Sequence, residues 1–176
     1  MSTTDTHVLP TGTWQVDEVH SSIAFAVDYM AGTFHGAFSD LDAAVSDGVL
    51  TGSAKVASVQ VKNEGLAAHL QGPEFFDAEA HPELTFTSNA IHRDGDQVTI
   101  DGEITIKGHT EKVEITGNIS DPIADPYGGE RFGLALQTTV DRDKFGISWN
   151  TPLPSGKSAL SNEVTITAEL QLSKQP

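Results

Sequence analysis

Seven histidines are the first residues in this chain whose type could do chemistry: His7, His20, His35, His69, His81, His92 and His109. A metal site needs such side chains in a ligating pattern, two at i and i+4 on a helix or a tight His-x-His on a strand. None of the seven keeps that spacing, so no metal is expected. Ser21 follows His20 directly, but neighbours on a strand point to opposite faces, and no Gly-x-Ser-x-Gly elbow occurs. Asp17 with Glu18, and Asp77 with Glu79, read as solvated loop acids of an acidic chain. Tyr127-Gly128-Gly129 lacks the Lys-Ser/Thr and the helix that a phosphate loop requires. There is no cysteine, hence no thiol nucleophile, disulfide or thiolate metal site. These residues predict no catalytic residue, no enzyme and no required cofactor.

Four polar side chains stay open to a binding role. His20 stands at the entrance to an apolar strand and His69 on a short helix, where either could aim a donor into a cavity mouth or serve as a satisfied structural histidine. Arg131 and Arg142 flank the apolar run from Phe132 to Val140. A guanidinium there could hold a phosphate or carboxylate head, or form a surface ion pair. The aromatic side chains Phe25, Phe34, Phe38, Phe75, Phe76, Phe86, Phe132, Phe145 and Trp149 are spread over nearly every segment; most would serve as ordinary core in any barrel, and as a set they could line a cavity.

What must position these residues is a repeated alternation. Apolar residues recur at every second position in Val98, Ile100, Ile104, Ile106, again in Phe132, Leu134, Leu136, and again in Val164, Ile166, Ala168, Leu170, Leu172. That period marks strands with one buried and one wet face. Asp47-Gly48 and Asp94-Gly95 read as tight hairpin turns, with Lys107-Gly108-His109 as a third. One segment breaks the period: Asn63 caps a short helix near 63–72, carrying Leu66 and Leu70 on one face and stopped by Gly72-Pro73. The count comes to about eight strands, the size at which an antiparallel barrel either fills with side chains or holds one small ligand. The run Gln97 to Lys107 would stand about 36 Å tall at ~3.3 Å per residue, taller than a side-chain core needs. Small residues on the inward phase (Gly36, Ala43, Ala54, Ala90, Gly102, Gly117) read either as room for an elongated guest or as bulges and bends.

Charge and length set outer bounds. The chain has 176 residues and a net charge of −15, from 25 acidic against 10 basic side chains, which repels phosphate backbones and anionic surfaces. No nucleic-acid partner and no integral membrane segment are expected. Residues 1–12 read as a tail, 13–172 as one domain and 173–176 as an exit. The N-terminal stretch carries no signal-like apolar run, which predicts a cytoplasmic protein, with an exported protein already trimmed as the alternative. An exposed strand edge could pair two barrels into a homodimer.

In order along the chain, certain residues form a set: Trp14-x-x-Asp17-x-x-His20-Ser21-x-Ile23-x-Phe25, Gly36-x-Phe38, His69-Leu70, Phe75-Phe76-Asp77, Pro82 and Phe86. The set continues through Gly102-x-Ile104-Thr105-Ile106-Lys107-Gly108-x-Thr110, Arg142-x-x-Phe145-Gly146 and Glu163-Val164. With this set the chain resembles the YceI-like family of bacterial polyisoprenoid-binding proteins, from about Trp14 to Leu170. The resemblance implies an all-β, eight-stranded antiparallel, lipocalin-like barrel around a hydrophobic tunnel. It also implies non-enzymatic binding, transport or storage of a polyisoprenoid or similar long amphiphile, such as an isoprenoid quinone. The residues expected at the ligand are His20, Phe25, Phe38, His69, Leu70, Phe75, Phe76, Phe86, Ile104, Leu134, Arg142, Phe145 and Trp149. Two departures, Tyr29 in place of a histidine and Leu66-Ala67 in place of an Arg-Asp pair, imply a less polar mouth. The competing expectations are an enzyme or redox partner using His20 or His69 as acid or base on such a lipid, and a stress-related barrel packed solid.

Overall fold

In a computed structural model describing residues 9–176, the alternating segments become strands that close on themselves. In chain order they are β1 (Thr13–Val16), β2 (Ser22–Tyr29), β3 (Gly32–Phe38), β4 (Leu41–Ser46), β5 (Val49–Lys55) and β6 (Val59–Gln60). After the helix α1 (Glu64–Gln71) come β7 (Glu83–Asp94), β8 (Gln97–Ile106), β9 (His109–Ile119), β10 (Ile123–Ala124), β11 (Glu130–Asp141) and β12 (Leu160–Lys174). At one end, here called the lower end, β1, β4, β5, β7, β8, β9, β11 and β12 pair around a closed antiparallel ring. At the upper end β2 and β3 take over from β1 and β4, with β2 beside β12 and β3 reaching β6. The short 3-10 turn Glu18–His20 lets β1 run on into β2 along the same neighbour with a shifted register.

The turns follow their chemistry. Asp47 and Gly48 both have positive φ (53° and 78°), as a type I′ hairpin demands. The β7–β8 turn lies one residue later than the sequence suggests: Asp94 pairs Gln97, and only Gly95 has positive φ (64°), which makes the turn type II′. α1 forms where expected. Asn63 accepts a hydrogen bond from the Leu66 N–H at 3.0 Å, and Gly72 ends the helix. Asn63→Ala is expected to cost about 1 kcal/mol, read as a lower urea midpoint at unchanged slope.

Inside, the side chains divide into two layers. The lower one is solid, built on Trp14, Val45, Val98, Ile100, Phe132 and Leu172, each no more than 2% exposed. Trp14 meets Phe132 edge to face at 4.8 Å. Leu9 is buried in this layer, so packing begins inside the segment read as a tail. The upper layer gathers Phe25, Phe38, Leu70, Phe75, Ile104, Phe145 and their neighbours around empty space.

Three of the small residues do not make room. The Phe25 ring lies over Gly36 and the Phe86 ring over Gly102, while the Ala135 carbonyl presses on Gly117. Each glycine admits a neighbour, so at these positions the small residue serves a close approach and the guest-room reading is corrected. Ala90 is exposed, because a bulge between Ser88 and Ala90 shifts the register and returns Ile91 to the inward phase.

Candidate functional site

The upper half of the barrel encloses a cavity of about 350 Å³. One wall is an aromatic cluster on β2, β3 and the turn after α1. Phe25 stands 5.7 Å from Phe38, 6.0 Å from Phe34 and 6.1 Å from Phe76. Facing it, His69 stands edge-on to Phe75 at 4.8 Å and to Trp149 at 5.4 Å. The remaining lining comes from inward positions of the long strands, among them Leu84, Ile106, Val140, Val164 and Ile166. Alternation alone makes this wall apolar: strands read hydrocarbon on the phase that faces the lumen.

α1 and the turn behind it close the gap that β3 and β7 leave unpaired. Leu66 and His69 line the cavity from the helix, and Leu70 is buried. The Phe76 N–H donates to the Leu70 carbonyl at 2.9 Å, which folds the two phenylalanines under the helix. Lys107, at the β8–β9 turn, donates to the Pro73 carbonyl at 2.5 Å and the Gly146 carbonyl at 3.3 Å, tying that segment to the opposite wall.

Among the described residues Arg142 is the one charged side chain buried in the wall, only 4% exposed. Its Nε donates to the Ser161 carbonyl at 2.8 Å, Nη1 to the Ile147 and Trp149 carbonyls at 2.8 Å each, and Nη2 to the Leu160 carbonyl at 3.3 Å. Burial lowers its pKa, against the raising effect of the Asp143 and Asp141 carboxylates. The expectation of a surface ion pair is therefore corrected for Arg142. Most of its fork is committed to backbone carbonyls, and it splices the start of β12 to the chain after β11. A bidentate clamp on a phosphate or carboxylate needs two free parallel N–H groups, more than this fork has left.

His20 and Leu134 do not reach the cavity. His20 stands on the outside of the lower barrel, its side chain 62% exposed, with Nδ1 donating to Asp17 at 2.7 Å. Leu134 faces inward but one layer too low, in the solid cluster. All the other expected residues line the cavity: Phe25, Phe38, His69, Leu70, Phe75, Phe76, Phe86, Ile104, Arg142, Phe145 and Trp149. Phe34, Leu84, Ile147 and the inward positions of β12 also line the cavity without being among the expected ligand residues, although alternation phase marks Phe34, Leu84 and the β12 row. Tyr29 and Leu66, at two of the departures noted above, both stand in the wall.

The Asp17 and Arg131 side chains form a separate polar knot at the lower end. Arg131 donates from Nη1 to Asp17 at 2.6 Å and to the Gln171 side chain at 2.8 Å, and from Nε to Asp125 at 3.2 Å. Hydrogen bonds from His20 first, then from Arg131, hold the Asp17 carboxyl at about 2, below the ordinary 3.8. A carboxyl lowered in the folded state stabilises fully above its unfolded pKa and loses that contribution as pH falls through about 2. Acid titration of stability is expected to show a limb between these two values, absent in Asp17→Asn; an unchanged limb would place it elsewhere.

Among the described residues no group of three or more His, Cys, Asp or Glu is placed to hold a metal; His7 lies outside them. No helix among them is long and apolar enough to cross a membrane.

The profile of the YceI-like domain matches residues 14–172. The chain belongs to the YceI-like family. A UPF0312 protein of Staphylococcus aureus (strain USA300) is 28% identical to this YceI-like chain over 169 residues, covering 89% of it and 95% of the relative. A UPF0312 protein of Staphylococcus epidermidis is 29% identical over 166 residues, with the same coverage. Among solved structures, the YceI-like barrel superposes on Burkholderia cenocepacia BcnA with a TM-score of 0.71 at 23% identity, over 89% of this chain and 98% of BcnA. A polyisoprenoid binding domain from Saccharophagus degradans, implicated in plant cell wall breakdown, superposes with a TM-score of 0.72 at 12% identity, over 92% and 98%. The likeness to these structures places the closed eight-stranded antiparallel barrel of the YceI-like chain among known folds.

Proposed function

We propose that this YceI-like protein binds, and carries or stores, a polyisoprenoid or similar long amphiphilic lipid, an isoprenoid quinone being one example, without chemically changing it. The observation that carries this reading is the enclosed upper cavity, about 350 Å³ of space walled almost wholly by aliphatic and aromatic side chains. Burying a chain there removes hydrocarbon from water at about 0.8 kcal/mol per methylene, the driving term for such a guest. Membership of the YceI-like family supports the reading, as does the fold shared with a domain described as polyisoprenoid-binding.

A binding role also suits the polar groups near the lumen. The Thr138 hydroxyl donates to the Glu114 carbonyl at 2.8 Å, and Arg142 is spent on backbone carbonyls, so neither is a free acid or base. His69 has an apolar surround and the Glu74 carboxylate at 3.6 Å. His20 lies at the opposite end, outside, so the two histidines form no acid–base pair. No cofactor enters this scheme. The test is displacement of a bound apolar fluorophore by prenyl alcohols and prenylated quinones. Saturable displacement, weakened by at least about tenfold in Phe38→Asp, is expected, because a carboxylate in this wall is desolvated without a partner. Absence of displacement by any prenyl lipid would reject the reading.

A further inference from the structure

The floor of the cavity decides how much chain it can hold. Ala43, Leu50, Ile115, Leu136 and Leu170 line it from below and belong at the same time to the solid lower cluster. Beneath them Trp14 and Phe132, at most 2% exposed and in edge-to-face contact, fill the axis of the barrel. A chain entering from the mouth therefore stops about halfway down walls that are far taller than the space between them.

The volume gives the length. A cavity of roughly 150 Å³ lined by Leu, Ile and Phe holds benzene, about six carbons. In the same proportion the 350 Å³ here corresponds to about fourteen carbons. Resting on the lipid-binding reading above, we infer that this site is a chain-length gauge. It takes about three isoprene units, or one acyl chain of about fourteen to sixteen carbons. In a longer polyprenyl lipid, every further unit stays outside the mouth. The site thus gauges the buried end of a prenyl or acyl amphiphile, with Leu136 and Leu170 setting the limit.

Each methylene newly buried strengthens binding about fourfold, so every added isoprene unit counts until the floor is reached. The experiment measures displacement of an apolar fluorophore by prenyl alcohols of rising length, from about one to about eight units. Affinity is expected to rise by about tenfold or more per unit up to the third, after allowance for chain ordering, and by less than about threefold per unit beyond it. Leu136→Ala lowers the floor and is expected to move the plateau one unit longer. Ala43→Leu raises the floor and is expected to move it one unit shorter, so failure of one variant to fold leaves the other. Affinity that climbs steadily through all lengths, or a plateau that the folded variants leave in place, overturns the gauge while the lipid-binding reading stands. No displacement at any length overturns both.

Discussion

Arg142→Met is expected to lower the free energy of unfolding by about 4 kcal/mol, at the severe end for one substitution. Methionine matches the aliphatic stem of arginine but cannot donate. The carbonyls of Ile147, Trp149, Leu160 and Ser161 each lose a donor, at 2.8 to 3.3 Å in the native fold. The buried Ile147 carbonyl is left without this donor at a cost of about 1–3 kcal/mol, water entering from the cavity offsets part of the loss at the half-buried Trp149 and Ser161 carbonyls, and the Leu160 carbonyl keeps the Asn150 side-chain amide at 2.8 Å. Arg142→Lys separates charge from geometry: it keeps the cation but has no planar fork to span these separate acceptors, so it is expected to recover less than half of the loss. Urea unfolding followed by tryptophan fluorescence checks both variants, since Trp149 is one of the residues Arg142 holds. A loss below about 1 kcal/mol for methionine would show that the splice is not what secures this corner.

The second large effect is a methyl group at Gly117. A Cβ built there sits 1.9 Å from the Ala135 carbonyl oxygen, 2.8 Å from its carbon and 2.9 Å from the Leu136 Cα. All three are backbone atoms of β11, so no rotamer change relieves the contact and the two strands must part. Gly117→Ala is expected to destabilise by about 3 kcal/mol, the upper range for overpacking. Gly32→Ala is the matched control: nothing lies within 4 Å of its Cβ position. It is expected to change stability by less than about 0.5 kcal/mol. Equal effects at the two positions would contradict the close approach of β9 and β11.

The contrast between these glycines shows where the sequence stops being legible. Alternation identifies which side of a strand a residue takes, because successive side chains must point to opposite faces. It therefore predicted the lumen-facing rows of β8, β11 and β12, and the cap at Asn63 gave α1 its start. Phase carries no information about height. Leu134 and Leu136 share a phase, yet Leu134 packs in the solid layer and Leu136 lines the cavity floor. The difference depends on strand stagger around the ring, which no single strand encodes. Nor does phase survive a bulge, and the extra residue between Ser88 and Ala90 turned Ala90 outward.

The polar residues illustrate the same limit. His20 and Asp17 stand three apart, and the short turn between β1 and β2 brings them together on the outer surface. As a strand entrance, that stretch would aim His20 into a cavity mouth. Arg142 sits beside Asp141 and Asp143, a setting that suggests a solvated charge. Its burial comes from the loop before β12 folding over it, with donors supplied to carbonyls up to nineteen positions away in the chain. The tall walls were legible, but the plug beneath them was not, because Trp14 and Phe132 meet only once the barrel has closed.

The upper half of this YceI-like barrel is proposed to hold a hydrocarbon chain. The most direct test is native mass spectrometry of protein purified without detergent, followed by solvent extraction and mass analysis of whatever is released. One apolar or amphiphilic molecule is expected bound per chain, released on unfolding and reduced in Phe38→Asp. Protein at its bare sequence mass, with nothing extracted and no uptake of added prenyl lipid, would contradict the proposal.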